Sequence, residues 1–151
     1  MAMGDPVETV RSIFSQPLDM VLLSAEGDAG GERLLAAAAT SDIEFEFVGP
    51  PENETAGVSA LGAHHGRAEM LDAWREWLQA YSSYIVELRE VHPLGELSVL
   101  AEVECTARTA TGDVEMRQRQ GALFEFRGDQ ICRWQAWLHA DDAKAALGVR
   151  S

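Results

Sequence analysis

At 151 residues the chain is one domain, since domains run to roughly 100–200 residues and this length buries a full core. Its 46% hydrophobic and 25% charged residues exclude a disordered chain, and no run reaches the roughly 18 apolar residues of a membrane helix. Twelve Lys and Arg against 25 Asp and Glu give a net charge of −13, which repels phosphate backbones and anionic bilayers and excludes nucleic acid and membrane as partners.

Asp5-Pro6 reads as an N-cap and a first-turn proline, and Val7, Val10, Ile13 and Phe14 follow at helical spacing up to Pro17. Leu18 to Ser24 is apolar enough to extend helical structure, and Glu26 to Gly31 is a loop. A second helix is expected from Glu32 to Thr40. Ile43 to Val48 alternates apolar and acidic residues, the period of a half-buried strand, and Gly49-Pro50-Pro51 ends it. Glu52 to His65 has no period and, at about 14 residues, is long enough to suggest a functional lid.

Gly66 opens the longest helix, Arg67 to Ser82, with Met70, Leu71, Trp74, Trp77, Leu78 and Tyr81 on one stripe. Four strands follow: Tyr84 to His92, Leu97 to Thr109, Val114 to Arg127 and Gln130 to His139. Tight turns at Thr111-Gly112-Asp113 and Arg127-Gly128-Asp129 join the later ones. A last helix starts near Asp141-Asp142 and closes at Gly148. Helices first and a strand meander last make an α+β domain. Met1–Gly4 opens without a charged and then apolar leader, so a cytoplasmic location is expected. Cys105 and Cys132 form no CxxC and are expected as free thiols, with no disulfide and no zinc site.

The order of these elements and several local motifs resemble the SnoaL-like branch of the NTF2-like superfamily. The motifs are Gly66-Arg67-Ala68-Glu69 before Trp74 and Trp77, Gly95 between strands, Thr111-Gly112, Phe124-Glu125-Phe126-Arg127-Gly128, Ile131-Cys132-Arg133-Trp134, Asp142-Ala143, and Ala146-Leu147-Gly148. The likeness covers residues 41–149 of a single domain spanning 1–151; Leu18 to Gly31 is longer than the family's usual helix connection. It implies a cone: N-terminal helices packed in a strongly curved antiparallel sheet, with a short C-terminal helix. The superfamily includes ketosteroid-isomerase-like enzymes, polyketide cyclases, limonene-epoxide-hydrolase-like enzymes and members without known activity, so chemistry has to be argued from the cone lining.

Position by position, the resemblance puts Phe47, Ala122 and Ala136 where relatives carry catalytic acids. The arginine and aspartate of the epoxide-hydrolase-like members fall at Glu102 and Glu104, of which the second is still a carboxylate. Carboxylates at i and i+2 share one strand face, and in an apolar cone each raises the other's pKa toward the range of acid–base catalysis. Two orientations compete. Alternation alone buries Val99, Ala101, Val103, Cys105 and Ala107 and leaves the glutamates in water. The family's dimerisation through the outer sheet face implies instead that this apolar face is external and that Glu102 and Glu104 face the cavity, which is the expectation adopted.

On the next strand Gln118 and Gln120 would then share the cone face and hydrogen-bond a ligand oxygen, or else pair with protein neighbours or water. Trp77 and Tyr81 on the long helix, Trp134 and Leu138 opposite, and Phe45, Phe47 and Phe124 would complete an apolar cavity suited to a ring-shaped ligand. His65 sits at the cavity rim as a candidate proton-transfer group. His64 and His65 are adjacent and lack Glu or Cys at ligand spacing, so no metal is expected. With no phosphate loop and no nucleophile elbow, no cofactor is expected.

Three functions follow. The first is a cofactor-free cyclase, isomerase or hydrolase for a polycyclic or terpenoid-like substrate, with Glu104 as acid–base, Glu102 tuning it, and Gln118 and Gln120 orienting the substrate. The second is a binder of hydrophobic small molecules with no chemistry, and the third a dimerisation module. A homodimer through Val99, Ala101, Val103 and Leu123 fits all three.

Overall fold

The computed structural model describes residues 5–24, 30–48, 62–112 and 114–149. Helix α1 (Pro6–Ile13) starts as expected, the Asp5 carboxylate accepting the Val7 N–H at 2.9 Å. Where a helical extension was expected, Leu18–Asp19 is a short strand, β1, followed by α2 (Met20–Ser24). Asp19 explains the change: its Oδ1 accepts the N–H groups of Val21 at 3.1 Å and of Tyr84 at 3.3 Å, starting α2 and tying it to a distant strand.

Helix α3 (Gly30–Ala38) hands directly into β2 (Ala39–Val48), so Thr40 belongs to the strand. The far end of the expected loop is the edge strand β3 (Gly62–His65), paired with β2; residues 52–61 lie outside the described residues. Helix α4 (Arg67–Leu78) follows Gly66, whose φ of 87° only glycine adopts freely. The Glu69 carboxylate then reaches back to the His65 N–H at 3.1 Å.

Helix α4 stops at Leu78, about a turn before Ser82, because strand pairing claims the residues from Tyr81 onward. The rest is β4 (Tyr81–Pro93), β5 (Ser98–Thr109), β6 (Glu115–Arg127), β7 (Gln130–Trp137) and α5 (Ala140–Leu147).

The seven strands form one sheet in the order β1-β4-β5-β6-β7-β2-β3. All neighbours are antiparallel except β2 and β7, which run parallel. Bulges in β4 and between β6 and β7 bend the sheet around α1–α4, giving the α+β cone.

The face of β5 that packs inward is Val99, Ala101, Val103, Cys105 and Ala107, buried in one cluster with Phe45, Trp74, Phe124 and Trp134. Strand alternation therefore overrides the expected orientation: Glu102 and Glu104 lie on the outer face. The surface expected to drive a homodimer is not external either. Val99, Ala101 and Val103 are inside, and Leu123 packs with Leu100, Trp137 and Ala143 beneath α5. A Cβ on Gly121 would come within 2.6 Å of the Ala143 Cβ, so glycine at that position lets the helix seat against β6. Elsewhere the outer face carries ion pairs, among them Arg89 with Glu104 at 2.9 Å and Arg133 with Glu125 at 3.6 Å.

Candidate functional site: an aromatic cavity in the cone

Between α4 and the inner sheet face lies a cavity of about 80 Å³. Six aromatic side chains wall it: Phe14 of the α1 end, Phe47 of β2, Trp74 and Trp77 of α4, Tyr84 of β4 and Trp134 of β7. Met20, Leu78, Val86, Val103, Gln120, Gly121 and Ala122 complete it. The Phe47 and Trp77 rings lie 4.8 Å apart, and the Trp74 and Trp134 rings meet edge to face at 5.2 Å. Helical spacing puts Trp74 and Trp77 one turn apart on α4, and the parallel register of β2 against β7 brings Phe45 level with Trp134 below them.

The polar content of these walls is small and connected. Gln120 is 8% exposed and its Nε2 donates to the Tyr84 hydroxyl at 2.8 Å. Burial pushes the Tyr84 phenol far above its ordinary range, with the neighbouring Cys105 adding to the rise. Burial likewise pushes the Cys105 thiol up to about 11, the Tyr84 hydroxyl partly offsetting it. Both are neutral at physiological pH, and Cys105 is an inert thiol. The buried indole N–H of Trp77 faces the Tyr84 hydroxyl without a well-formed hydrogen bond among the described residues. No Asp, Glu, His, Lys or Arg lines the cavity among the described residues.

Of the residues singled out from sequence, Phe47, Trp77, Gln120 and Trp134 meet at this cavity. Phe45 and Phe124 are fully buried beneath it, packing edge-on against Trp134 at 6.4 and 4.7 Å. Tyr81 is on β4 rather than α4 and packs edge-on against Tyr84 at 5.1 Å. Gln118 shares the inner face but bonds His139 Nδ1 at 2.7 Å, and Leu138 packs at the core margin. His65 points away from the cone, its Nδ1 4.0 Å from Glu44. Sequence reasoning missed Tyr84, although it shares the inner face of β4 with Val86 and Leu88 and alternation alone would have placed it.

Glu102 and Glu104 cannot reach a molecule in the cone. Glu104 pairs with Arg89, which holds its carboxyl below the usual range. Glu102 is 3% exposed beneath α5, with His92 Nε2 at 2.5 Å, Lys144 Nζ at 3.2 Å and Arg119 at 3.5 Å. Burial raises its pKa, but the hydrogen bonds from His92 and Lys144 outweigh that and keep it below the ordinary value. The paired acids are thus ionised, the opposite of the poised acid–base pair expected from sequence.

The SnoaL-like domain model matches residues 23–134. No curated protein matches the sequence. Solved structures with the same fold include an NTF2-like protein of unknown function from Burkholderia pseudomallei K96243, 14% identical with a TM-score of 0.66, covering 96% of this chain and 98% of that one. A candidate SnoaL-like polyketide cyclase from Jannaschia sp. CCS1 is 13% identical with a TM-score of 0.63, covering 96% and 92%. A candidate isomerase from Rhodopseudomonas palustris is 22% identical with a TM-score of 0.54, covering 85% and 91%. At these identities the likeness is one of fold.

Proposed function

This chain belongs to the SnoaL-like family, and from that premise we propose that it binds one compact, largely apolar small molecule in the cone, oriented through a single oxygen, without acid–base chemistry by its own carboxylates. The observation that carries this reading is the buried Trp77 indole N–H, which makes no well-formed hydrogen bond among the described residues and faces a Tyr84 hydroxyl that already accepts from Gln120, in the wall of an apolar cavity. An unsatisfied buried donor costs about 1–3 kcal/mol, which a ligand acceptor seated against it would recover. At about 80 Å³ the cavity is well below the roughly 300–1,000 Å³ of sites for drug-sized ligands. It is also smaller than the ~150 Å³ cavity that takes up benzene. That size favours a ligand of a few heavy atoms over the polycyclic substrate expected from the resemblance.

Acetone and 2-methylpropene, each of four heavy atoms, serve as matched probes, differing in the carbonyl oxygen. The ketone is expected to raise the melting temperature more than the hydrocarbon, and Trp77→Phe, which removes the indole N–H, to erase the difference. Equal shifts from both probes in the wild-type protein would show that no polar group of the cone orients a ligand.

A further inference from the structure

Outside the cone, Glu90 and His92 of β4 and Glu102 of β5 bring three ligand atoms within 4.8 Å of one another. His92 Nε2 lies 2.5 Å from one oxygen of Glu102 and 3.5 Å from one of Glu90. The strand register sets Glu90 directly opposite Glu102. Like charges at directly opposed positions repel and destabilise a sheet unless a cation intervenes.

The cations already present do not intervene there. Lys144 at 3.2 Å and Arg119 at 3.5 Å both contact Oε1 of Glu102, whereas His92 contacts Oε2. Glu90 faces the imidazole and the Glu102 carboxyl, and its side chain is 57% exposed. The cluster therefore has two sides: one oxygen of a 3%-exposed carboxylate held by two basic side chains, and the other turned, with an imidazole nitrogen, toward a second carboxylate. Fixing the far oxygen of a ligating carboxylate is how outer-shell groups orient the inner shell of a metal site.

We infer that Glu90, His92 and Glu102 form a divalent-metal site on the outer sheet face, suited to zinc, with Lys144 and Arg119 orienting Glu102. One imidazole nitrogen and two carboxylate oxygens are a ligand set zinc accepts, with a fourth position left for water. Ligand atoms ~2.1 Å from a tetrahedral ion stand about 3.4 Å apart. The His92–Glu90 separation of 3.5 Å already matches, and Glu102 needs to open from 2.5 Å as the ion replaces the proton between it and His92. The net charge of −13 draws cations to the whole surface. The site shares no residue with the cone cavity, so it stands or falls separately from the ligand reading.

Titration of the full chain with ZnCl2 by calorimetry, and with CoCl2 by visible absorption, tests this. One ion per chain is expected, with the intense visible bands of four-coordinate cobalt, and at least a tenfold loss of affinity in His92→Gln and in Glu90→Gln. The Glu90 side chain is mostly exposed, so that second variant leaves the fold intact. His64→Ala/His65→Ala is expected to bind as the wild type does. Absence of saturable binding, or binding that survives both His92→Gln and Glu90→Gln, overturns the site.

Discussion

Trp134→Ala is expected to lower the free energy of unfolding by about 3–5 kcal/mol, the range for removing a buried indole. Trp134 is 7% exposed on the inner face of β7. It meets the rings of Phe124 at 4.7 Å, Trp74 at 5.2 Å and Phe45 at 6.4 Å, so one side chain couples β6, α4 and β2. Edge-to-face pairs add to burial, and truncation forfeits three of them while opening the cavity floor. Urea denaturation monitored by far-ultraviolet circular dichroism gives the number; a loss below about 1 kcal/mol would mean the cone collapses onto the gap.

The second large effect is expected outside the cone. Glu102→Ala is expected to cost about 3 kcal/mol, at the lower end of what a broken buried ion pair costs, because it strands Lys144 and His92 at the α5 interface. Lys144 is 14% exposed there, and its stem has limited room to bring the ammonium to water. Glu104→Ala, two residues along the same face, is expected to change stability little, since its partner Arg89 is at the surface. The contrast in chemical denaturation midpoints separates the two glutamates: equal effects would mean that burial beneath α5 does not set their weight.

That contrast also shows what was legible in the sequence. The period-2 pattern of β5 held the orientation correctly, with an unbroken apolar face from Val99 to Ala107. The expectation that Glu102 and Glu104 face the cone came from placing that apolar face at a dimer surface, and packing against Phe124 and Trp134 decided otherwise. Leu100, Leu123 and Trp137 on the other face are apolar because α5 folds back over them, a long-range contact that no local pattern announces.

The long helix and the four late strands were readable from spacing and turn residues. Their boundaries shifted where tertiary pairing intervened, as when β4 took Tyr81 from the end of α4. Phe47, Trp77, Gln120 and Trp134 were found because apolar periodicity and cone lining coincide in this fold. Tyr84 escaped notice because its hydroxyl acquires meaning only opposite Gln120, across β5 in the sheet. The grouping of Glu90, His92 and Glu102 depends likewise on the β4–β5 register and its bulge, which sequence does not fix.

The cone as a binding site is tested most directly at Trp77. The chain has four tryptophans, so the indole N–H region of a 15N-labelled sample holds four signals, of which Trp77→Phe identifies one. Titration with acetone is predicted to move the Trp77 indole proton downfield, saturably, as its buried N–H gains a full acceptor, while 2-methylpropene leaves it in place. A Trp77 signal unmoved by the ketone, or moved alike by both probes, would contradict an oriented ligand in the cone.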